Sequence, residues 1–179
     1  MPGSKEMKMQ LGFSFDISRC SGCMACIVAC LDEKDLPESG PSFRQVTRVE
    51  KGSYPRVMMA FVSIACLHCG DAPCLMVCPV GAIYKRTQDG IVGVDQDLCI
   101  GCHSCLLACS FGAPQFPDGA KMHKCDLCAG RIEYGMEPAC VRVCPTRALG
   151  YGSMEELSRQ KAEKASRLIL DPLVKVPEY

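Results

Sequence analysis

Cys99-Ile100-Gly101-Cys102-His103-Ser104-Cys105-Leu106-Leu107-Ala108-Cys109 is the stretch from which the chain is read. Its spacing is C-x2-C-x2-C-x3-C. The same spacing recurs at Cys20, Cys23, Cys26 and Cys30. Two looser groups follow other rules: Cys66/Cys69/Cys74/Cys78 and Cys125/Cys128/Cys140/Cys144. Together the four groups use all 16 cysteines of a 179-residue chain. Cysteine at that density marks a scaffold held by covalent or metal staples.

Two residues between cysteines let a tight turn aim successive sulfurs at neighbouring corners of one metal–sulfide cube. The fourth cysteine, three residues on, sits on a helical turn that points away. In two-cluster ferredoxins it serves the other cluster. Four groups of four therefore predict four [4Fe–4S] clusters. Groups two and three are contiguous, and groups one and four lie outside them, so the pairing expected is nested. The ligand sets are then Cys20, Cys23, Cys26 with Cys144; Cys125, Cys128, Cys140 with Cys30; Cys66, Cys69, Cys74 with Cys109; and Cys99, Cys102, Cys105 with Cys78.

Two rival uses of the cysteines fit less well. Disulfides need an oxidising compartment. Met1–Gln10 has neither the apolar core of a signal peptide nor a twin-arginine pair. Zinc uses C-x2-C pairs, but its ribbons separate two pairs by a long loop, and only the fourth group has that form. Lysine plus arginine equals aspartate plus glutamate, 20 each. Ligation would change the balance: a cube held by four thiolates carries about −2, so four carry roughly −8. Backbone N–H groups near Gly22 and Gly101, and Lys85, Lys121 and Lys124, are the expected offsets. No basic run points to nucleic acid, and no apolar stretch reaches the roughly 20 residues of a membrane span.

Along the chain, Gly12–Ile17 reads as a strand and Ile27–Ala29 as a helical turn. Leu31–Pro41 reads as a surface loop. Phe43–Glu50 and Arg56–Ala65 read as paired strands around a turn at Lys51–Pro55. Asp89-Gly90, between Ala82–Thr87 and Ile91–Val94, is a hairpin signal. Phe111–Lys121 reads as a loop and Thr146–Tyr151 as a strand. Ser153-Met154-Glu155-Glu156 matches a capping box opening a helix to near Ser166. The tail Leu168–Tyr179 has no regular pattern. Met58, Met59 and Met76 are expected to pack, and Asp95 and Asp97 to make a turn. His68, His103 and His123 are expected beside the cysteines, not as ligands.

The fold class expected is α+β: two bacterial-ferredoxin-like halves with nested ligation, short helices and β-hairpins. Residues 12–65 and 110–152 form the outer half, with a hairpin inserted at 43–65. Residues 66–109 form the inner half, and 153–179 a C-terminal helix and tail. The pattern resembles the four-cluster iron–sulfur subunits of molybdenum and tungsten bis-pterin oxidoreductases, those of dimethyl sulfoxide reductase and formate dehydrogenase among them. The resemblance rests on Cys20–Cys23, Cys66–Cys69, Cys74–Ala82, Cys99–Cys102, Lys124–Cys128 and Cys144–Leu149, within residues 12–152. It implies an electron-transfer subunit with no catalytic residues of its own. Its partners would be a catalytic molybdenum- or tungsten-pterin subunit and a further redox subunit or ferredoxin. The short chain leans the reading toward a soluble complex, such as a tungsten aldehyde oxidoreductase or class II benzoyl-CoA reductase. A membrane-linked dimethyl sulfoxide reductase-type enzyme, a free polyferredoxin shuttle and a zinc-stapled module are the alternatives. The expected location is the cytoplasm, or the periplasm by co-export with a partner.

Overall fold

The elements follow the cysteine groups. In this computed structural model, which describes residues 9–37, 40, 42–117 and 121–170, β1 (Leu11–Phe15) comes first. The Asp16 carboxylate accepts from the Ser18 N–H and starts a 3-10 turn over Ile17–Arg19 that delivers Cys20. α1 (Ala25–Glu33) buries Cys26 and Cys30, which its pitch sets four residues apart on one face. β2 (Gln45–Ser53) and β3 (Arg56–Ile64) form a hairpin with Ser53 opposite Arg56. α2 (Pro73–Met76) opens on a proline, a position where the missing N–H costs nothing. Then come β4 (Ile83–Lys85), β5 (Val92–Val94) and α3 (Ser104–Ala108). α4 (Ala129–Glu133), α5 (Ala139–Arg142), β6 (Leu149–Ser153) and α6 (Met154–Leu170) complete the order.

The strands make three two-stranded sheets, β1–β6, β2–β3 and β4–β5, all antiparallel. β1 and β6 come from opposite ends of the cysteine-bearing stretch, with Leu11 opposite Ser153 and Phe15 opposite Leu149. Helix contacts follow the same nesting: α1 packs on α5, and α2 on α3. The molecule is thus α+β, built of short helices and small sheets as two ferredoxin-like halves require.

The apolar core is split into small clusters, most of which include cysteines. One gathers Leu11, Ile91 and Leu127, and another Cys26, Cys140 and Leu149. Polar ties cross the chain as well. The Leu11 N–H donates to Asp89 O at 2.9 Å and Gln10 Nε2 to His68 O at 3.0 Å. Arg86 pairs with Asp89 at 2.9 Å and with Glu133 at 2.8 Å. Among the described residues no helix is long and apolar enough to cross a membrane.

Several local expectations are corrected. Leu31–Glu33 is not loop but the end of α1, held there because Glu33 pairs with Arg131 at 2.9 Å and Lys34 with Asp126 at 2.8 Å. Lys51–Ser53 is strand, leaving only Tyr54-Pro55 as the turn. The hairpin expected around Asp89-Gly90 does form: β4 pairs with β5, the Arg86 N–H bonds Ile91 O, and Gly90, at φ +70°, sits in the loop between them. α6 runs on to Leu170, so Leu168–Leu170 is helical, and the rest of the expected tail, 171–179, lies outside the described residues. Met58, Met59 and Met76 are exposed rather than packed. The Asp97 N–H does turn back onto Asp95 Oδ1, at 2.9 Å.

Candidate metal centres

Three hollows open beside the cysteine groups, each lined by four cysteines. Cys66, Cys69, Cys74 and Cys109 line one, with Lys124. Cys78, Cys99, Cys102 and Cys105 line another. Cys20, Cys23, Cys26 and Cys144 line a third, with Ser63. Each fourth cysteine comes from a different group than the other three. The remaining four, Cys30, Cys125, Cys128 and Cys140, are all buried, and the charge of Cys140 bears on both Cys30 and Cys128. Cys66 and Cys125 share one apolar cluster, with Cys109 packed against it. Outer and inner groups meet there. Among the described residues no three His, Cys, Asp or Glu side chains converge closely enough to hold a single metal ion.

A repeated backbone feature shapes these loops. The residue before the second cysteine takes a left-handed conformation in every group: Gly22 at φ +71°, His68 at +47°, Gly101 at +66° and Leu127 at +59°. That twist turns the chain around a hollow. Glycine adopts it freely, whereas His68 and Leu127 are held in it by burial, at 1% and 0% exposure. A second repeat follows the last cysteine of three groups. Gly81, Gly112 and Arg147 are left-handed, and each N–H bonds back to the carbonyl of Cys78, Cys109 or Cys144. Neither repeat is visible in the residue types, because two of four and one of three positions are not glycine.

Backbone N–H groups point at sulfur throughout. His68 N–H lies 3.5 Å from Cys66 Sγ, Met122 N–H 3.3 Å from Cys99 Sγ, and Leu127 N–H 3.4 Å from Cys125 Sγ. Ala148 N–H lies 3.3 Å from Cys144 Sγ. Such donors favour thiolate over thiol. Burial acts the other way: it pushes Cys105 and Cys128 up to about 11, and Cys125 strongly upward. Thiols so placed are not free nucleophiles at neutral pH; a metal bound there would displace their protons to solvent.

A family model described as a 4Fe-4S dicluster domain matches residues 57–154, and another of the same description matches 19–82. The chain is 46% identical over 166 residues to the probable anaerobic dimethyl sulfoxide reductase chain YnfG of Escherichia coli (strain K12), covering 87% of this chain and 78% of that one. It is 44% identical over 170 residues to a chain of the anaerobic dimethyl sulfoxide reductase of the same organism, covering 89% and 82%. Against the thiosulfate reductase electron transfer subunit PhsB of Salmonella typhi it is 43% identical over 149 residues, covering 82% and 77%. The chain belongs to the iron–sulfur subunit family of molybdenum and tungsten bis-pterin oxidoreductases. Its members named above are chains or subunits of reductases, and this chain is likewise a non-catalytic electron-transfer subunit. Two dicluster domains and 16 cysteines give it four [4Fe–4S] clusters as cofactors.

The donor chemistry of this iron–sulfur subunit fits that cofactor. Each hollow presents four soft sulfur ligands with an N–H donor on one of them, and Lys124 lines the Cys66/Cys69/Cys74/Cys109 hollow. Lys124 is buried and Lys85 half-buried, whereas Lys121 is exposed, the common case for a lysine. Lys124, 6% exposed, donates to the carbonyls of Val92 and Cys125. Lys85 Nζ donates to Cys69 O at 3.1 Å and Gly70 O at 2.7 Å, and Lys121 Nζ to Gln96 O at 2.5 Å. His68 accepts the Val92 N–H on Nδ1 at 3.0 Å. Burial, then Lys124 and Lys85, push it down to about 3, so it stays neutral with its proton on Nε2. His103 stacks on Phe116 at 3.9 Å, and His123 exchanges backbone hydrogen bonds with Gln115. The residue that sequence reading missed is Arg44. It carries no motif, yet it is buried among these groups at 2% exposure.

Proposed function

We propose that the four nested ligand sets hold cubes in a row and that the chain relays single electrons along it. The row runs from the Cys20/Cys23/Cys26/Cys144 set through Cys30/Cys125/Cys128/Cys140 and Cys66/Cys69/Cys74/Cys109 to Cys78/Cys99/Cys102/Cys105. When bound, each cube would take up and pass on one electron at a time. The observation carrying this reading is the trio of hollows, each lined by four cysteines from two groups. The shared Cys66–Cys125 cluster supports the join at the middle. The polypeptide's own part is to ring each cube with thiolates, to aim N–H groups at them and to exclude water.

We infer that the partner is the catalytic subunit of a dimethyl sulfoxide reductase-type enzyme. Two of the relatives described are named for that reductase, and this favours the membrane-linked alternative over the soluble tungsten complexes to which the short chain leaned. A fixed partner fits the β2–β3 hairpin better than a shuttle does. The hairpin buries little beyond its base and exposes Tyr54, Val57, Met58 and Met59. We place the complex in the cytoplasm, or in the periplasm if it is exported with its partner; cell fractionation separates the two.

Metal analysis of anaerobically isolated complex tests the cofactor part. About sixteen iron and sixteen acid-labile sulfides per chain are expected, four per cube. Zinc in their place contradicts it. Met58→Lys with Met59→Lys tests the docking part: the subunit should keep its iron but no longer co-purify with a catalytic subunit. Undiminished co-purification removes the hairpin from the interface.

A further inference from the structure

Arg44 is the one cation whose burial nothing described so far explains. It precedes β2 and is 2% exposed, and among the described residues no carboxylate pairs with it. Its Nε and Nη2 are buried and find no hydrogen-bond partner there. A buried cation left so is costly, because an ion gives up its hydration on burial. Its neighbours stand between two groups of cysteines. Its guanidinium lies 4.5 Å over the Phe13 ring. Phe13 packs against both the Cys26–Cys140 and the Cys66–Cys125 clusters. The charge of Arg44 bears on Cys26 and on Cys125 alike. The N–H groups of Phe43 and Arg44 and the Ser42 hydroxyl act on Cys30.

One contact fixes a direction. Arg44 Nη1 donates to Ser63 Oγ at 3.2 Å, and Ser63 Oγ lies 3.8 Å from Cys26 Sγ. A guanidinium has no acceptor, so it occupies a lone pair of the hydroxyl. The Ser63 proton is then free to point at Cys26 Sγ. Ser63 itself lines the Cys20/Cys23/Cys26/Cys144 hollow.

We propose that Arg44 sets the reduction potentials of the two outer-half cubes, acting on one through Ser63 as a positioning residue and on the other by charge alone. Reduction adds one negative charge to a cube. A buried cation nearby, and a hydrogen bond to a ligand sulfur, favour that reduced form and raise the potential. The guanidinium, with no carboxylate beside it, finds its counter-charge in the cubes. The inference rests on the cluster reading above and names the residue that tunes it.

Redox titration of the holo-complex, followed by paramagnetic resonance, tests this. Cys20→Ser and Cys125→Ser identify the two outer signals. Arg44→Gln should lower both midpoints, and Arg44→Lys should bring them back toward the wild-type values. Ser63→Ala should lower only the midpoint of the Cys20/Cys23/Cys26/Cys144 cube. Midpoints unmoved at full iron content overturn the inference and leave the cluster reading standing, as does Arg44→Lys falling as far as Arg44→Gln. If Arg44→Gln fails to assemble, Ser63→Ala decides alone, and an unchanged midpoint there overturns it. A wild type without iron overturns both readings.

Discussion

Gly22 and Gly81 separate two things a glycine can do in these loops. Both have positive φ, at +71° and +64°. A Cβ on Gly22 would lie 2.5 Å from the Phe61 ring, whereas one on Gly81 would meet nothing within 4 Å. Gly81→Ala should therefore cost only the left-handed strain, about 1 kcal/mol. Gly22→Ala adds a clash with a ring that covers the Cys20 run, for roughly 2–3 kcal/mol more. The check is the temperature at which visible absorbance is lost under anaerobic heating: it should fall further for Gly22→Ala, and equal falls would contradict the packing described. Leu127→Ala removes a side chain of 0% exposure and should cost about 2–5 kcal/mol by the same measure. Nothing in the sequence marked Leu127 or His68 as left-handed. Spacing places the cysteines, but what holds a non-glycine residue in that conformation is burial by distant segments.

Among the elements, α6 depends on a tether that can be titrated. Lys164 pairs with Asp16, which also accepts from Ser18. The Lys164 hydrogen bond first, then Ser18, lowers the Asp16 carboxyl from 3.8 to about 2. A depressed carboxylate stabilises the fold above its unfolded value. That contribution is complete above about pH 3.8 and disappears as pH falls through about 2. The pair is partly exposed, so the effect is small. The gap in urea midpoint between wild type and Asp16→Asn should narrow from pH 5 to pH 3, and a constant gap contradicts the tether. The elements also show how far local pattern reaches. Alternation found β1 and most of β2, and an apolar run found β3, while β6 starts three residues after the strand expected at Thr146–Tyr151. Ser153 does cap α6, with the Glu156 N–H 3.2 Å from its Oγ. Leu31–Glu33 misled because its charges look solvated, when Glu33 is tied to Arg131 from 98 residues away. Lys51–Ser53 misled because a turn of two residues suffices. Met58 and Met59 misled because apolar side chains were read as core on a hairpin that stands clear of it.

For the molecule as a whole, the apolar clusters are small and all but the Leu11–Ile91–Leu127 cluster contain cysteines, so the metal centres take the place of a larger core. Metal-binding free energy is then folding free energy. Anaerobic removal of iron with a chelator should collapse the far-ultraviolet circular dichroism of the isolated subunit, not merely bleach it. Retention of the signal would assign stability to the organic core instead. At this scale the sequence was most informative, since four groups in nested order already implied that chain ends meet, and β1 does pair with β6. What it withheld was Arg44: a buried arginine has no spacing rule, and its neighbours come together only in the folded chain.

The claim at the centre is that residues more than a hundred positions apart ligate one cube. Cys20→Ser and Cys144→Ser, prepared anaerobically and compared by paramagnetic resonance, address it directly. Both should alter the same signal and leave the other three intact. Two different signals disturbed by the two variants would contradict the nested assignment.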